Sequence, residues 1–294
     1  MSTPAAFLAR PTRMAVATRA RHHEAASAWT DLLQSVGPRE GRRLGLSTHR
    51  IQGRSVLVAA GVDSLLFNRA FLEGTQDLRP ERLEAVLRIF HREGVRRFML
   101  HVPMDLAGVE LETTAGEALA TRGLELYRRD WHVLESRFEP RARPRPSSNL
   151  TPQVERARPA DAEACGALLA SAFEMPPEAA RVWAAAIDGR RWHSYLIRHE
   201  GRIVATGCLY VQRHVGYLAA GATDPAFRGR GAQSALIARR LAIGGALGCV
   251  AFASDTGEAV PGEANPSHRN LCRAGLIPTA RVRHVVPLGT TWTA

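Results

Sequence analysis

The stretch TDPAFRGRGAQSALIARRL, residues 223–241, decides how the second half of the chain is interpreted. Gly229 and Gly231 alternate with arginines directly before a run whose apolar residues recur at helical spacing. The first amides of a helix have no partner within it and the helix dipole is positive there, so an anion fits this place. Glycines ahead of the helix let the backbone approach a bulky phosphate because they carry no Cβ. The stretch predicts either a phosphate-binding loop or an ordinary glycine turn in an arginine-rich protein.

The residues around the loop narrow this choice. YLAAGAT, residues 217–223, predicts a strand ahead of it, and neither G-x-x-x-x-G-K-[ST] nor a strand followed by G-x-G-x-x-G is present. RGRGAQ, residues 228–233, resembles instead the acetyl-CoA loop of the GNAT N-acetyltransferases, whose pattern is [Q/R]-x-x-G-x-[G/A]. Arg228 and Gly231 match that pattern, while Gln233 stands where the family usually has glycine or alanine.

A second motif follows downstream, where NPSHRNLCRAGL resembles the later helix of the same family. Ser267 and Gly275 have the family spacing of a small polar residue and a glycine, and Leu276 replaces the usual aromatic residue. Leu271 occupies the position at which the family often carries a tyrosine that protonates the departing thiolate. The resemblance covers residues 154–288.

The resemblance implies an α/β (mixed α+β) GNAT fold, with a central twisted mixed sheet flanked by helices. Both halves end in the order helix, strand, short helix, glycine and strand, which predicts two GNAT-like domains in tandem. In the first half, LELYRRDWHVLES, residues 124–136, alternates as one strand does, and FLEGTQDLRPERLEA lacks the cofactor-loop pattern. The predicted boundaries are a disordered basic terminus (1–22), a degenerate domain (23–138), a Pro/Arg/Ser linker (139–153) and a catalytic domain (154–294).

The resemblance further implies that acetyl-CoA is the acyl donor and that the loop amides hold its pyrophosphate. The strand before the loop would pair with the pantetheine arm. Asn265 and Asn270 would lie near the pantetheine arm. For one of them, capping of a helix is a second interpretation, since Asn is a favoured N-cap residue. The implied cofactor contacts are Ala222, Thr223, Arg228, Gly229, Arg230, Gly231, Ala232, Gln233, Ser234, Asn265 and Asn270.

The family reaction is direct attack of a neutral amine on the thioester, which needs a group or water path that takes a proton. Asp255 is the first candidate base, because members of the family often place a polar group at the strand end beside the thioester. Glu258, His214 and Tyr217 are further candidates. A solvated or arginine-paired carboxylate is the alternative for Asp255, and a packing role is the alternative for Tyr217. His214 has the same packing alternative.

Composition excludes several other classes of protein. The net charge is +11, yet the chain contains no lysine and its 39 cations are arginines spread over both halves. This spread argues against a nucleic-acid footprint, which clusters on one face. The four cysteines have no C-x-x-C spacing, so no zinc or redox motif is expected, and buried free thiols indicate a reducing cytoplasm. No run of about 18 apolar residues predicts a membrane helix.

These observations predict a cytoplasmic N-acetyltransferase that uses acetyl-CoA, needs no metal and acts on a primary amine of a small molecule or a protein. A non-catalytic acyl-CoA sensor or interaction module is the alternative, and the missing tyrosine favours it. Nucleic-acid binding is a third hypothesis, which rests on the net charge, and a homodimer is also compatible with the sequence. The acceptor amine itself is left open by the sequence.

Overall fold

The computed structural model describes residues 13–105, 111–137 and 152–291. The eight helices of these ranges are α1 (Arg13–Ser35), α2 (Pro38–Arg43), α3 (Pro80–Arg92), α4 (Leu111–Ala120), α5 (Ala162–Ala172), α6 (Ala179–Asp188), α7 (Ala232–Ala246) and α8 (Pro266–Arg273). The strands are β1 (Leu46–Ile51), β2 (Arg54–Ala59), β3 (Arg69–Phe71), β4 (Met99–Asp105), β5 (Leu124–Leu126), β6 (Trp131–Arg137), β7 (Glu155–Arg156), β8 (Trp192–His199), β9 (Arg202–Gln212), β10 (Val215–Thr223), β11 (Ala251–Gly257) and β12 (Ile277–Pro287).

All twelve strands belong to one mixed sheet flanked by helices, which confirms the predicted fold class. The strands follow the order β1-β2-β3-β4-β12-β6-β11-β10-β9-β8-β7, and β5 pairs with the end of β12. The last strand of each half therefore lies in the other half. β6 pairs antiparallel with β11, and β12 pairs antiparallel with β4. The two exchanged strands also pair with each other and close the seam between the halves.

The exchanged strands pair across the predicted domain boundaries. The ranges 23–138 and 154–294 separate β6 from the edge of β11 that it covers, and β12 from its partner β4. Unpaired strand edges expose a row of backbone N–H and C=O groups, so each half needs the other to complete its sheet. Residues 139–151 of the predicted linker lie outside the described residues.

Helix α1 covers the sheet where the two halves meet. It packs on β2 and β4 of the first half and on β10 and β11 of the second. Ala25, Ala28, Trp29 and Leu32 recur at helical spacing and are buried, which explains why this segment is a helix. Of the predicted disordered terminus, residues 13–22 lie in α1, and residues 1–12 lie outside the described residues.

The predicted single strand over residues 124–136 is two strands, β5 and β6. The break falls at Asp130, whose side chain is buried and pairs with Arg283 at 3.1 Å and with Arg281 at 3.5 Å. Alternation of apolar residues cannot reveal such a break, because the ion pairs come from a distant strand. None of the described helices is long and apolar enough to cross a membrane.

The two halves repeat one parallel pairing. β3 pairs parallel with β4 at Arg69–Phe71, and β10 pairs parallel with β11 at Val215–Tyr217. In the first half the contact extends one residue further, since Leu72 N donates to His101 O at 2.9 Å. In the second half the register ends at the pair of Tyr217 and Ala253, after which the strands diverge.

We expect Leu32→Ala, in the middle of α1, to destabilise the whole chain. Leu32 is fully buried among residues of both halves, and removing such a side chain costs about 2–5 kcal/mol. Because the sheet is shared, urea unfolding followed by circular dichroism should show one transition that moves to lower urea. Leu247→Ala, at a side chain that is 46% exposed, is the control and should change stability by less than about 0.5 kcal/mol. Two separate transitions, of which only one moved, would contradict the shared core.

Candidate functional site

The divergence of β10 from β11 opens a cavity of about 470 Å³. Neighbouring residues of a strand point to opposite faces of a sheet, so the cavity has two sides. Tyr217 and Ala253 belong to the core under α1 and α6, whereas Leu218 and Phe252 belong to the core under α7 and α8. The opening therefore joins the two faces of the sheet at one point. A ligand that enters on the α7 side can meet a second ligand that enters on the α1 side.

The predicted phosphate loop lies directly before α7. Gly229 and Gly231 have φ values of +76° and +81°, which disfavour any residue with a Cβ. A Cβ built at either position would meet no other atom within 4 Å, so the space before the helix is open. Asp224 fixes the preceding turn by accepting from Ala226 N at 2.9 Å and from Arg202 Nη2 at 2.6 Å. The loop therefore leaves room ahead of α7, where the first amides of a helix have no partner within the helix.

The unusual glutamine of the motif has a structural role. Gln233 Nε2 donates to Ser267 Oγ at 3.4 Å, and Asn270 Nδ2 donates to Gln233 Oε1 at 2.7 Å. Both partners belong to α8, so Gln233 links the beginnings of the two helices beside the cavity. Asn265 is the N-cap of α8, where its side chain accepts from His268 N at 3.0 Å and donates to Gly257 O at 2.6 Å.

A carboxylate and a phenol lie on the α1 side of the opening. The Tyr217 hydroxyl donates to Asp255 Oδ1, and both side chains line the cavity. Enclosure by the cavity walls raises the pKa of Asp255 above its ordinary value, and the hydrogen bond from Tyr217 and the charge of Arg69 oppose this rise only in part. Burial and the nearby carboxylate raise the pKa of Tyr217 well above its ordinary value. The Asp255 carboxylate is therefore a stronger base than an ordinary aspartate, and the Tyr217 phenol stays protonated.

Other predicted residues lie elsewhere. The Glu258 carboxylate accepts from Asp130 N at 3.2 Å and does not line the cavity. His214 lies in the exposed turn before β10, with Nδ1 3.2 Å from Gly248 O. Ala222 and Thr223 pair with β9 beyond the opening.

The backbone at the opening is Leu218–Gly221, which sequence reasoning missed. The register between β9 and β10 shifts between Ala219 and Ala222, and Ala220 has a φ of +47°. This bulge aims the strand into the cavity. The divergence point depends on pairing across strands and has no signature in the local sequence.

A buried arginine fixes the bulge. Arg240 Nη1 donates to Cys208 O and to Ala219 O, each at 3.0 Å, and Nε donates to Leu236 O at 3.1 Å. Its guanidinium fits because Gly207 has no side chain: a Cβ there would come within 3.0 Å of Arg240 Cζ. Burial lowers the pKa of Arg240 to about 10, so the group stays charged at neutral pH. Gly207 on β9 thus makes room for Arg240 of α7, and Arg240 in turn holds the bulge of β10.

The equivalent loop of the first half holds its own carboxylate. Asp77 is fully buried, accepts from Glu73 N at 2.8 Å, and pairs with Arg54 and with Arg82. This carboxylate takes the amide and the cations that a phosphate would otherwise use. The loss of the motif noted in the sequence therefore coincides with an internally satisfied loop. Among the described residues, no group of His, Cys, Asp or Glu side chains has the arrangement of a metal site.

Comparisons with known proteins agree with this geometry. Residues 162–261 match the model of the acetyltransferase (GNAT) family. A GCN5-related N-acetyltransferase from Kribbella flavida is similar in fold, with a TM-score of 0.56 and 18% identity over 90% of this chain and 96% of that one. One from Sphaerobacter thermophilus has a TM-score of 0.56 and 16% identity over 82% and 83% of the two chains.

A tandem arrangement also has a counterpart among solved structures. A tandem GNAT protein from the clavulanic acid biosynthesis pathway has a TM-score of 0.51 and 11% identity over 79% of this chain and 81% of that chain. At these identities the likeness is one of fold. No curated protein matches the chain in sequence.

We expect Arg240→Met to destabilise the chain by about 2–4 kcal/mol, because two buried strand carbonyls lose their donors. Equilibrium unfolding in guanidinium chloride measures this loss of stability. Arg239→Met is the matched control, since the neighbouring arginine is exposed and should change stability by less than about 0.5 kcal/mol. Equal effects of the two substitutions would show that the bulge does not need Arg240.

Proposed function

We propose that this chain, whose residues 162–261 belong to the acetyltransferase (GNAT) family, is an N-acetyltransferase that moves the acetyl group of acetyl-CoA to a primary amine. One observation carries the proposal. The opening between β10 and β11 has the glycine loop and N-terminus of α7 beside one side and a carboxylate–phenol pair on the other. A donor that carries phosphates and an acceptor that must lose a proton fit these two sides.

On the donor side, the amides of the loop Arg228–Ser234 would hold the pyrophosphate, helped by the charges of Arg228 and Arg230. The bulge backbone, Leu218–Gly221, would receive the pantetheine arm, and Asn265 would border it. Gln233 and Asn270 act here by fixing α7 against α8. Acetyl-CoA, when bound, supplies the activated acyl group.

On the acceptor side, Asp255 would take the proton that the ammonium group must lose before it can attack. The amine nitrogen then bonds to the thioester carbon, the carbon–sulfur bond breaks, and CoA leaves as the thiolate. The nitrogen gives up its second proton as the amide forms, and that proton converts the thiolate to the CoA thiol. Tyr217 holds the Asp255 carboxylate in place through its hydroxyl. Leu271 is buried at the family's tyrosine position and cannot donate a proton. The thiolate is a good leaving group, with a thiol pKa of roughly 8.5, so this chain can work without that acid.

The second candidate function is a non-catalytic acyl-CoA-binding module, and Leu271 is the observation that favours it. Such a protein would bind acetyl-CoA without turnover. Release of CoA thiol in the presence of a panel of primary amines separates the two functions. Binding with no release from any amine would favour the module.

We expect Gly231→Val to weaken acetyl-CoA binding at least tenfold in titration calorimetry. A β-branched residue cannot adopt the φ of +81° that the start of α7 requires, so the amide cradle is displaced. Gly94→Val is the matched control, because Gly94 has a φ of +71°, an equally open surrounding and a position in the first half. If both variants bound acetyl-CoA as the unmodified chain does, the loop would not be the donor site.

We expect Asp255→Asn to lower kcat/KM by roughly 10²–10⁴-fold, as the loss of a general base does. The carboxylate must be ionised to accept a proton, so activity is lost as the pH falls through its pKa. Because enclosure raises that pKa, the loss begins at a higher pH than an ordinary aspartate would give.

The pH profile of kcat/KM tests this assignment, since Asp255→Asn should remove that acid limb and leave only the titration of the amine. Glu258→Gln is the control and should keep both the limb and the rate, because Glu258 does not line the cavity. A profile that was unchanged in Asp255→Asn would assign the base elsewhere.

A further inference from the structure

The α1 side of the cavity is a wall of aromatic rings that both halves build. Trp29 comes from α1, Trp131 from the exchanged strand β6, and Phe173 and Trp183 from the segment around α5 and α6. These rings line the same cavity as Asp255 and Tyr217. The acceptor would therefore enter a space that the second half cannot form alone.

The rings are held rigidly. The ring centroids of Trp29 and Trp183 lie 5.2 Å apart in an edge-to-face arrangement, and Phe67 packs behind both at 6.0 and 5.2 Å. Phe173 lies 6.0 Å from Trp183. Edge-to-face contacts of this kind are favourable, and a wall that is already ordered loses little entropy when a ligand binds. The wall is suited to a flat or branched apolar group.

The side chains that line the cavity include more cations than acids. Among the described residues that line it, Asp255 is the only acid, whereas Arg128, Arg129 and Arg240 are cations. Arg129 is paired with Glu263, and Arg240 is bonded to strand carbonyls. One ammonium group can bind beside Asp255, but a second would find no further carboxylate in the lining and would face arginine side chains.

A further fixed cation lies behind the wall. Arg69 is fully buried, and its Cζ lies 3.9 Å from the centroid of the Trp29 ring. Arg69 therefore already makes a cation–π interaction with the Trp29 ring. A second positive charge near Trp29 would be repelled, so Trp29 offers the acceptor apolar contact.

Resting on the proposed function, we infer that the acceptor is a monoamine whose single ammonium group is carried by an aromatic or branched aliphatic body. The ammonium group lies at Asp255, and the body packs between Trp29, Trp183 and Phe173. Polyamines and aminoglycosides are excluded by their additional charges. The first half is thus a specificity element of the acceptor site.

Initial rates of CoA thiol release from acetyl-CoA test the inference on the full chain. The amines are 2-phenylethylamine and 3-methylbutylamine against spermidine and 2-aminoethanol. We expect kcat/KM for the first two to exceed that for the last two by at least tenfold. Equal or better use of spermidine or 2-aminoethanol would overturn the inference while leaving acetyl transfer intact.

Titration calorimetry separates failure of the inference from failure of the proposed function. If acetyl-CoA does not bind, the proposed function fails and the inference fails with it. If acetyl-CoA binds and no amine releases thiol, the amines are titrated into the protein saturated with CoA. Binding of 2-phenylethylamine at least tenfold tighter than that of spermidine supports the inference, and a smaller difference overturns it.

The variant Phe173→Ala tests whether the body of the amine packs against the aromatic wall. Phe173 is half-buried, and its loss should raise KM for 2-phenylethylamine five- to tenfold while leaving KM for acetyl-CoA unchanged. Phe173→Leu keeps apolar surface and should recover most of the loss, and Leu247→Ala, at the exposed end of α7, should change neither constant. An unchanged KM for 2-phenylethylamine in a folded Phe173→Ala would place the amine body elsewhere and overturn the inference.

Discussion

The structure depends on the separation of β10 from β11 beyond Tyr217 and Ala253. Separated strands leave backbone groups without partners, which is unfavourable unless other groups take their place. Ser254 Oγ donates to Leu218 O at 2.9 Å across the gap, and Arg240 donates to Ala219 O from α7. The opening is thus held by side chains that replace the missing ladder bonds. Without these hydrogen bonds, pairing of β10 with β11 along their whole length would be the more favourable arrangement.

The exchange of β6 and β12 supports the same opening from its outer edge. β11 pairs with β10 over only three residues, Ala251–Ala253, but with β6 over its whole length, Ala251–Gly257. The first half therefore holds β11 straight where β10 turns away, and this keeps Asp255 beside Tyr217. Completion of the sheet and placement of the candidate base are consequences of one pairing.

The sequence predicted local features well. The loop glycines, the helix after them and the order of elements in the second half depend on residues close together in the chain, and periodicity and capping rules apply to such residues. Asn265 is a clear case, since the alternative of a helix cap is what the structure shows. The sequence missed the features that depend on distant residues. Gly207 makes room for Arg240 across 33 positions of the chain, and nothing in either neighbourhood indicates the other.

The first half contributes to the cavity of the second half. Asp77 is buried in the loop that corresponds to the predicted phosphate loop of the second half, and its carboxylate accepts from Glu73 N. The contributions of the first half all lie at the seam: β6 covers the edge of β11, α1 spans both halves, and Trp29 and Trp131 enter the cavity of the other half. Under the proposed function, a first half that lacks the phosphate-loop pattern still builds part of the acceptor side of the cavity through Trp29 and Trp131.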